Sequence, residues 1–450
     1  MMRTIKTFLP ILLSFFTIPF LWAADFYWEE PELFSSRSGK FPVSAHSDYF
    51  SALAWQETTL SAGSAFIEIN FAVKVNGNEW ETKGIIAGPY TFLGTEPSIL
   101  SMLIDNDGRI IIAAAAGSAK MEILISGDRG KTFEKRTVDL GAENSVAPRI
   151  YVRADGGYLL FVTRGRNQAM SIYYSVSDDA VNWSPFEFFT PENSLAMNFL
   201  PAHSSIGKRD IVFFQSLTMG TESLSTFQLF FKTSDDGGKS WTQARRFTNF
   251  NDPVMQTQSA ANNFDNQRPH LSRHGNNLLL VWERRFSGLS PQIYGAIINQ
   301  NGGIVGKVER INNQDAYCQF PVGFFNGDTP AVVWFDNRTG INRIVLGQQG
   351  NINWENHILS PAGTDASFAK PVVSKDGAYI FWQTTARETG RIHVLAPDHS
   401  VSSPRITATN FTPSRANRSE IARVSWNIPP DTSNINGFSW EPFLTQATMR

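Results

Sequence analysis

The chain alternates short apolar runs with tight polar turns, and the alternation has a long period. Seven prolines, Pro42, Pro97, Pro148, Pro201, Pro269, Pro321 and Pro371, each lead into a brief apolar run, at intervals of 55, 51, 53, 68, 52 and 50 residues. A turn follows, often with glycine, as at Gly108, Gly156, Gly207, Gly275, Gly327 and Gly377. A second apolar run then ends on a large ring: LAW at Trp55, VFF at Phe214, LVW at Trp282, VVW at Trp334 and IFW at Trp382. Trp55, Phe214, Trp282 and Trp334 each fall 13 residues after their proline, an offset that a repeated hairpin preserves. Two further strands joined by a polar turn complete the unit, as around Asn76-Gly77-Asn78, Ser126-Gly127-Asp128 and Ser234-Asp235-Asp236. Four antiparallel strands in about 50 residues is the size of one propeller blade.

The spacing predicts an all-β fold: a seven-bladed β-propeller of four-stranded antiparallel blades over 42–400. A six-bladed ring is the alternative, because the first and last repeats are the most degenerate. The N-terminal segment 25–41 offers an outer strand to close the ring. The one interval of 68 residues contains a polar insertion from Asn249 to Gln267. Runs such as LLLVW and AVVWF are apolar throughout, as expected of strands buried on both faces. Beyond residue 400 the period stops. Ser402 to Ile406, Ala422 to Pro430 and Gly437 to Trp440 resemble the first three strands of a fibronectin type III domain, so 401–450 reads as a partial, β-sandwich-like module. A complete one takes about 100 residues.

Composition narrows the class. The chain holds 35 Phe and 12 Trp against a single Cys, so rings fill the core and no internal disulfide can form. With a net charge of −2, nothing invites nucleic acid or an anionic membrane. Residues 1–24 have the parts of a secretory signal: Arg3 and Lys6, an apolar run from Phe8 to Trp22, and small Ala23 and Ala24 before Asp25. The run is interrupted by Pro10 and Pro19 and is shorter than the roughly 20 residues that a bilayer requires. The expectation is a protein exported to the periplasm, cell surface or medium, with no membrane span after cleavage.

Two turns carry a family resemblance. Ser234-Asp235-Asp236-Gly237-Gly238-Lys239-Ser240-Trp241 resembles the Asp-box of sialidases and related BNR-repeat propellers, and Ser126-Gly127-Asp128-Arg129-Gly130-Lys131-Thr132-Phe133 does so with Phe for Trp. Ser177-Asp178-Asp179-Ala180-Val181-Asn182-Trp183 is a copy one residue short. The chemistry of these positions is structural. Ser126, Asp128, Ser234 and Asp236 bond to nearby main chain, Gly130 and Gly238 take dihedrals other residues resist, and Phe133 and Trp241 pack between blades.

Topology places a site on the opposite face. Beside the opening prolines stand Glu96, Arg149, Arg268, His270 and Lys370; after the second strands stand Glu57, Arg164, Arg166, Glu283, Arg284, Asp336, Arg338 and Arg387. The strongest top-face binding candidates are Arg149, Arg268, His270, Glu283, Arg284, Asp336, Arg338 and Lys370. The resemblance implies an arginine triad for a substrate carboxylate, a Tyr nucleophile assisted by Glu, and an Asp acid on that face. The family's Arg-Ile-Pro motif is absent: Arg149-Ile150-Tyr151 lacks the proline, and Arg268 before Pro269 is a substitute in another blade. Paired between blades, the same charges would be structural, each exposed pair contributing about 0 to 1 kcal/mol. The favoured reading is a recognition scaffold whose partner is a glycan or an extracellular or envelope protein; the alternative is a sialidase-type glycoside hydrolase with a diverged site. No spacing suits a metal, since His270 and His274 span a strand and turn, and no cofactor motif occurs.

Overall fold

A computed structural model gives the architecture. It describes 28–397 apart from 36–37, 62–63, 92–98, 118, 141–144, 167–168, 192–196, 220–221, 255–262, 351, 376 and 385–389, together with 406–408 and 424–426. Seven four-stranded antiparallel sheets form the blades, over 40–91, 100–139, 145–188, 198–246, 264–310, 319–358 and 366–395. The seventh sheet takes its outer strand from the N-terminal segment, where Glu32 pairs with Val394 and Leu33 with His393. Each innermost strand touches the next around the ring, and that of blade 7 touches that of blade 1. The ring therefore has seven blades, not six. Residues 406–408 pair antiparallel with 424–426. The rest of the fibronectin-like stretch and the leader lie outside the described residues.

The doubly apolar strands account for the core. Buried side chains form seven clusters, and each spans one junction between neighbouring blades. Trp55, Trp282, Trp334 and Trp382 are among the largest fully buried side chains. Such rings dominate burial because each removes 150–250 Å², roughly, from water.

The repeated proline has a backbone cause. In six blades the innermost strand is interrupted by a bulge whose first residue has positive φ: Phe41 (51°), Ala147 (55°), Leu200 (54°), Arg268 (52°), Phe320 (53°) and Phe368 (54°). A bulge takes backbone N–H groups out of the ladder. Proline at the second position removes one of them. The other finds an acceptor on the preceding blade: Phe41 N donates to Gln383 Oε1 at 2.7 Å, Arg268 N to Gln215 Oε1 at 2.8 Å, and Phe320 N to Glu283 Oε1 at 2.7 Å. Blade 7 departs from the sequence frame. Its bulge is Phe368-Ala369, so Ala369 takes the proline's place and Pro371 lies two residues beyond it. Counted from Ala369, Trp382 also falls 13 residues on.

At the other end, both full octapeptides close in the same way. Ser126 Oγ donates to Asp128 Oδ1 at 2.8 Å and accepts from Gly130 N at 2.8 Å, while Asp128 accepts from Thr132 N at 2.9 Å and Thr132 Oγ1 at 2.7 Å. Ser234, Asp236, Gly238 and Ser240 repeat these bonds. Phe133 packs edge-on against Phe71 of blade 1, and Trp241 against Phe189 of blade 3, both with centroids 5.1 Å apart. Glycine is required at 130, because a Cβ there would lie 2.2 Å from the Phe71 ring.

We expect the turn carboxylates to make the fold acid-sensitive. Hydrogen bonds hold Asp128 down to about 2, led by Thr132 N–H, and Asp236 down to about 2, led by the Ser240 hydroxyl. A depressed carboxyl contributes stability above its unfolded value, about 3.9, and loses it as pH falls through the folded value. We expect wild-type stability to decline between pH 4 and 2 more steeply than that of an Asp128→Asn/Asp236→Asn variant, measured as urea midpoints across that range. Equal slopes would remove these turns from the acid response.

Candidate functional site

The innermost strands enclose an axial cavity of about 1000 Å³. Its wall is mainly apolar, with three bulge phenylalanines in an arc at one end. The Phe41 and Phe368 centroids lie 4.9 Å apart and those of Phe320 and Phe368 4.7 Å, all edge-on, and the Arg268 guanidinium stands 4.4 Å over the Phe320 ring. The bulges project these side chains, and the Gln383, Gln215 and Glu283 bonds hold Phe41, Arg268 and Phe320 in place.

The charged groups of the wall, among the described residues, have one sign. Arg149, Arg268, Arg273 and Lys370 line the cavity with His46, His270 and His274, and none of the described lining residues is Asp or Glu. Arg268 is neutralised from behind: Nη1 donates to Glu283 Oε2 at 2.7 Å, with the side chains 30% and 5% exposed. Burial pushes the Glu283 carboxyl up, and the Arg268 charge pulls it back. His274 Nε2 sits 2.7 Å from Asp328 Oδ1, and Arg273 donates to the Ser205 and Gly275 carbonyls.

Three candidates share one level. Arg149, His270 and Lys370 are each the first ladder-paired residue after the bulge, opposite Phe161, Val281 and Phe381 on blades 3, 5 and 7. In sequence Lys370 stands before a proline as Arg268 does; in space it is the counterpart of His270 and Arg149. Burial, then the Arg149 charge, pushes the Lys370 ammonium down to about 8, and burial with the Lys370 and Arg149 charges brings His270 down to about 3. His270 is therefore neutral, and its Nδ1 accepts from Gly323 N at 3.2 Å.

The remaining candidates lie away from the cavity wall. Arg284 was expected at the mouth but is interior: it and Asp252 are each 1% exposed, with Nε to Oδ2 at 2.8 Å, and Nη1 reaches Asn266 Oδ1 at 2.8 Å. Its guanidinium lies 3.8 Å over the Phe264 ring. The partner Asp252 comes from the polar insertion, which is why the pair was invisible in the repeat. Asp336 is buried and takes Arg338 Nη2 at 2.6 Å and Trp334 Nε1 at 3.1 Å. Arg164 stacks over Tyr173 and Phe186, and Glu57 accepts from Asn70 at 2.9 Å. Glu96, Arg387 and the Arg166 side chain lie outside the described residues. Among the described residues no three His, Cys, Asp or Glu side chains gather as a metal group would. Sequence reasoning missed Phe41, Phe320 and Phe368 as wall residues. The Phe-Pro pairs at 41–42 and 320–321 signal two of them, and the third has no proline after it.

The fold and the cavity define a seven-bladed β-propeller with a cationic, ring-edged axial site. No protein-family model matches the chain, and no curated protein matches it. Solved structures do. The polysaccharide lyase Uly1 has a TM-score of 0.54 at 11% identity, covering 83% of this chain and 99% of its own. An ulvan lyase of family PL25, bound to -[GlcA(1-4)Rha3S]-, has a TM-score of 0.54 at 10% identity, covering 81% and 95%. An alpha-L-arabinanase of Penicillium chrysogenum has a TM-score of 0.47 at 15% identity, covering 66% and 92%. At these identities the likeness is one of fold. No helix among the described residues is long and apolar enough to cross a membrane.

Glu283 joins two roles that substitution can separate. Glu283→Gln keeps an acceptor for Phe320 N–H, as Gln215 and Gln383 do for their bulges, and loses only the ion pair with Arg268. Glu283→Leu loses both. We expect Glu283→Leu to be less stable than Glu283→Gln by about 1–3 kcal/mol, the cost of a buried unpaired donor, in urea unfolding. Equal stabilities would show that the bulge does not depend on this bond.

Proposed function

We propose that the protein is an exported β-propeller that recognises a glycan at the ring-edged end of its axial cavity. The carrying observation is the arc of Phe41, Phe368 and Phe320 closed by Arg268 over the last ring. Sugar rings present C–H faces that dock on aromatic faces, while hydroxyls seek the few polar groups of such a pocket. Two propellers of similar fold, Uly1 and the ulvan lyase, act on polysaccharide, which supports a glycan as the ligand class. Export is supported by the leader-like pattern of 1–24.

The two octapeptides support a place beside the sialidase-like propellers. They do not carry sialidase chemistry with them. Arg268 is committed to Glu283 and Arg284 to Asp252. The Tyr–Glu contact of Tyr90 OH with Glu122 Oε2, at 2.5 Å, joins blades 1 and 2 and is not part of the cavity wall. Recognition without sialoside hydrolysis is therefore the reading we favour.

The test is calorimetric titration of the full-length protein with a panel of neutral and acidic oligosaccharides. We expect one class to bind, and Phe320→Ala or Phe368→Ala to weaken it about ten-fold, equivalent to about 1.4 kcal/mol. If no oligosaccharide binds, or the variants bind as wild type does, the reading is wrong. Release of fluorophore from a fluorogenic sialoside would instead establish the hydrolase.

A further inference from the structure

Arg149 and Lys370 set two cations against one cavity. Several other buried or half-buried cations have acidic partners, as Arg284 with Asp252, Arg338 with Asp336 and Arg268 with Glu283, and others spend their protons on neutral oxygens, as Lys232 on the Phe189 carbonyl and Arg343 on Ser360 Oγ. Arg149 and Lys370 face the same enclosed space from blades 3 and 7, at one ladder position, and have no carboxylate partner among the described residues. Arg149 Nη1 donates to the Pro148 carbonyl at 2.9 Å. The level they share is otherwise apolar or neutral: Val43, Ala202 and Val322 occupy it on blades 1, 4 and 6, and His270 on blade 5. Two like charges that face one cavity repel each other. Departures from local consistency of this kind gather at functional sites.

We propose that Arg149 and Lys370 form an anion subsite inside the axial cavity, which takes an oxyanion substituent of the glycan, a carboxylate or a sulfate ester, with His270 beside them on the wall. This inference rests on the glycan reading and narrows its ligand to acidic sugars. A guanidinium offers a planar fork for two oxygens, and an ammonium on the opposite wall offers a point charge for the third side of the group. His270 Nδ1 is engaged by Gly323 N. In the neutral ring the proton then resides on Nε2, which leaves that nitrogen a donor. With its ammonium at about 8, Lys370 is largely protonated at pH 7 and serves there without any change of state.

The experiment uses the full-length protein at low ionic strength and three probes: sodium sulfate, sodium glucuronate and glucose. Wild type is compared with Arg149→Gln, Lys370→Gln and the charge-keeping Arg149→Lys, each first checked for a wild-type thermal unfolding midpoint. We expect sulfate or glucuronate, but not glucose, to bind wild type. Each Gln variant should bind about ten-fold more weakly or worse, and Arg149→Lys should retain part of the affinity. Preference for one anion would tell carboxylate from sulfate. If a neutral oligosaccharide binds while neither anion does, the anion subsite is wrong and the glycan reading stands. If the anions bind through Arg149 and Lys370 while no oligosaccharide does, the subsite stands and the glycan reading falls. Anion binding unchanged in both Gln variants would overturn the assignment to these residues.

Discussion

A backbone N–H that has lost its ladder partner is the constraint on which the site depends. Six of the innermost strands bulge at one end, and the bulge both turns side chains into the axis and leaves a donor that must be satisfied. The chain answers in two ways, with a proline that has no donor to offer and a side-chain oxygen from the preceding blade. Phe41, Arg268 and Phe320 are held in the left-handed region by that second device. Such a backbone costs of order 1–3 kcal/mol at a non-glycine residue and persists only where its surroundings over-determine it. The acceptors belong to neighbouring blades, so the geometry of the site and the packing of the ring are one problem.

Charge is distributed along the same lines. Between and within blades, carboxylates meet guanidiniums in buried or half-buried pairs, and these tie an inserted loop or a strand end to the sheet. Among the described residues, none that lines the axial cavity is acidic. Glu283 marks the boundary, because one oxygen serves the bulge of blade 6 and the other the side chain of Arg268. What remains inside is an apolar wall with cations set on alternate blades, a surface suited to a ligand that brings ring faces and negative charge together.

The period of the chain made the propeller legible, since rings 13 residues from a proline, alternating with octapeptides that hold serine, aspartate and glycine at fixed spacing, require a four-stranded unit repeated in one register. The site was legible only in part. Pro371 set a false frame in blade 7, because Ala369 occupies the bulge and the proline lies two residues on; Lys370 therefore looked like the equivalent of Arg268 when it belongs with Arg149 and His270. Arg284 read as an exposed charge because its partner, Asp252, comes from a loop outside the repeat. Phe41, Phe320 and Phe368 read as core because a phenylalanine in the left-handed region is not what strand patterning anticipates. The structural role of the turn octapeptides followed from their side-chain chemistry alone, without reference to the ring.

The seam of the ring has a consequence for how the molecule is made. Six blades are complete as soon as their own residues exist, since every strand in them is followed closely by its neighbour in the sheet. The seventh is completed by a strand that precedes all the blades in the chain and must wait for it: Glu32 and Leu33 join Val394 and His393, and Phe41 N meets Gln383 across 342 residues of chain. Until then both ends of the nascent array are open sheet edges, each able to pair with the wrong strand, including that of another copy. Closure is a latch thrown only once the strands of blade 7 exist, and with it the bulge at Phe41 falls into place and the axial cavity first acquires a complete wall.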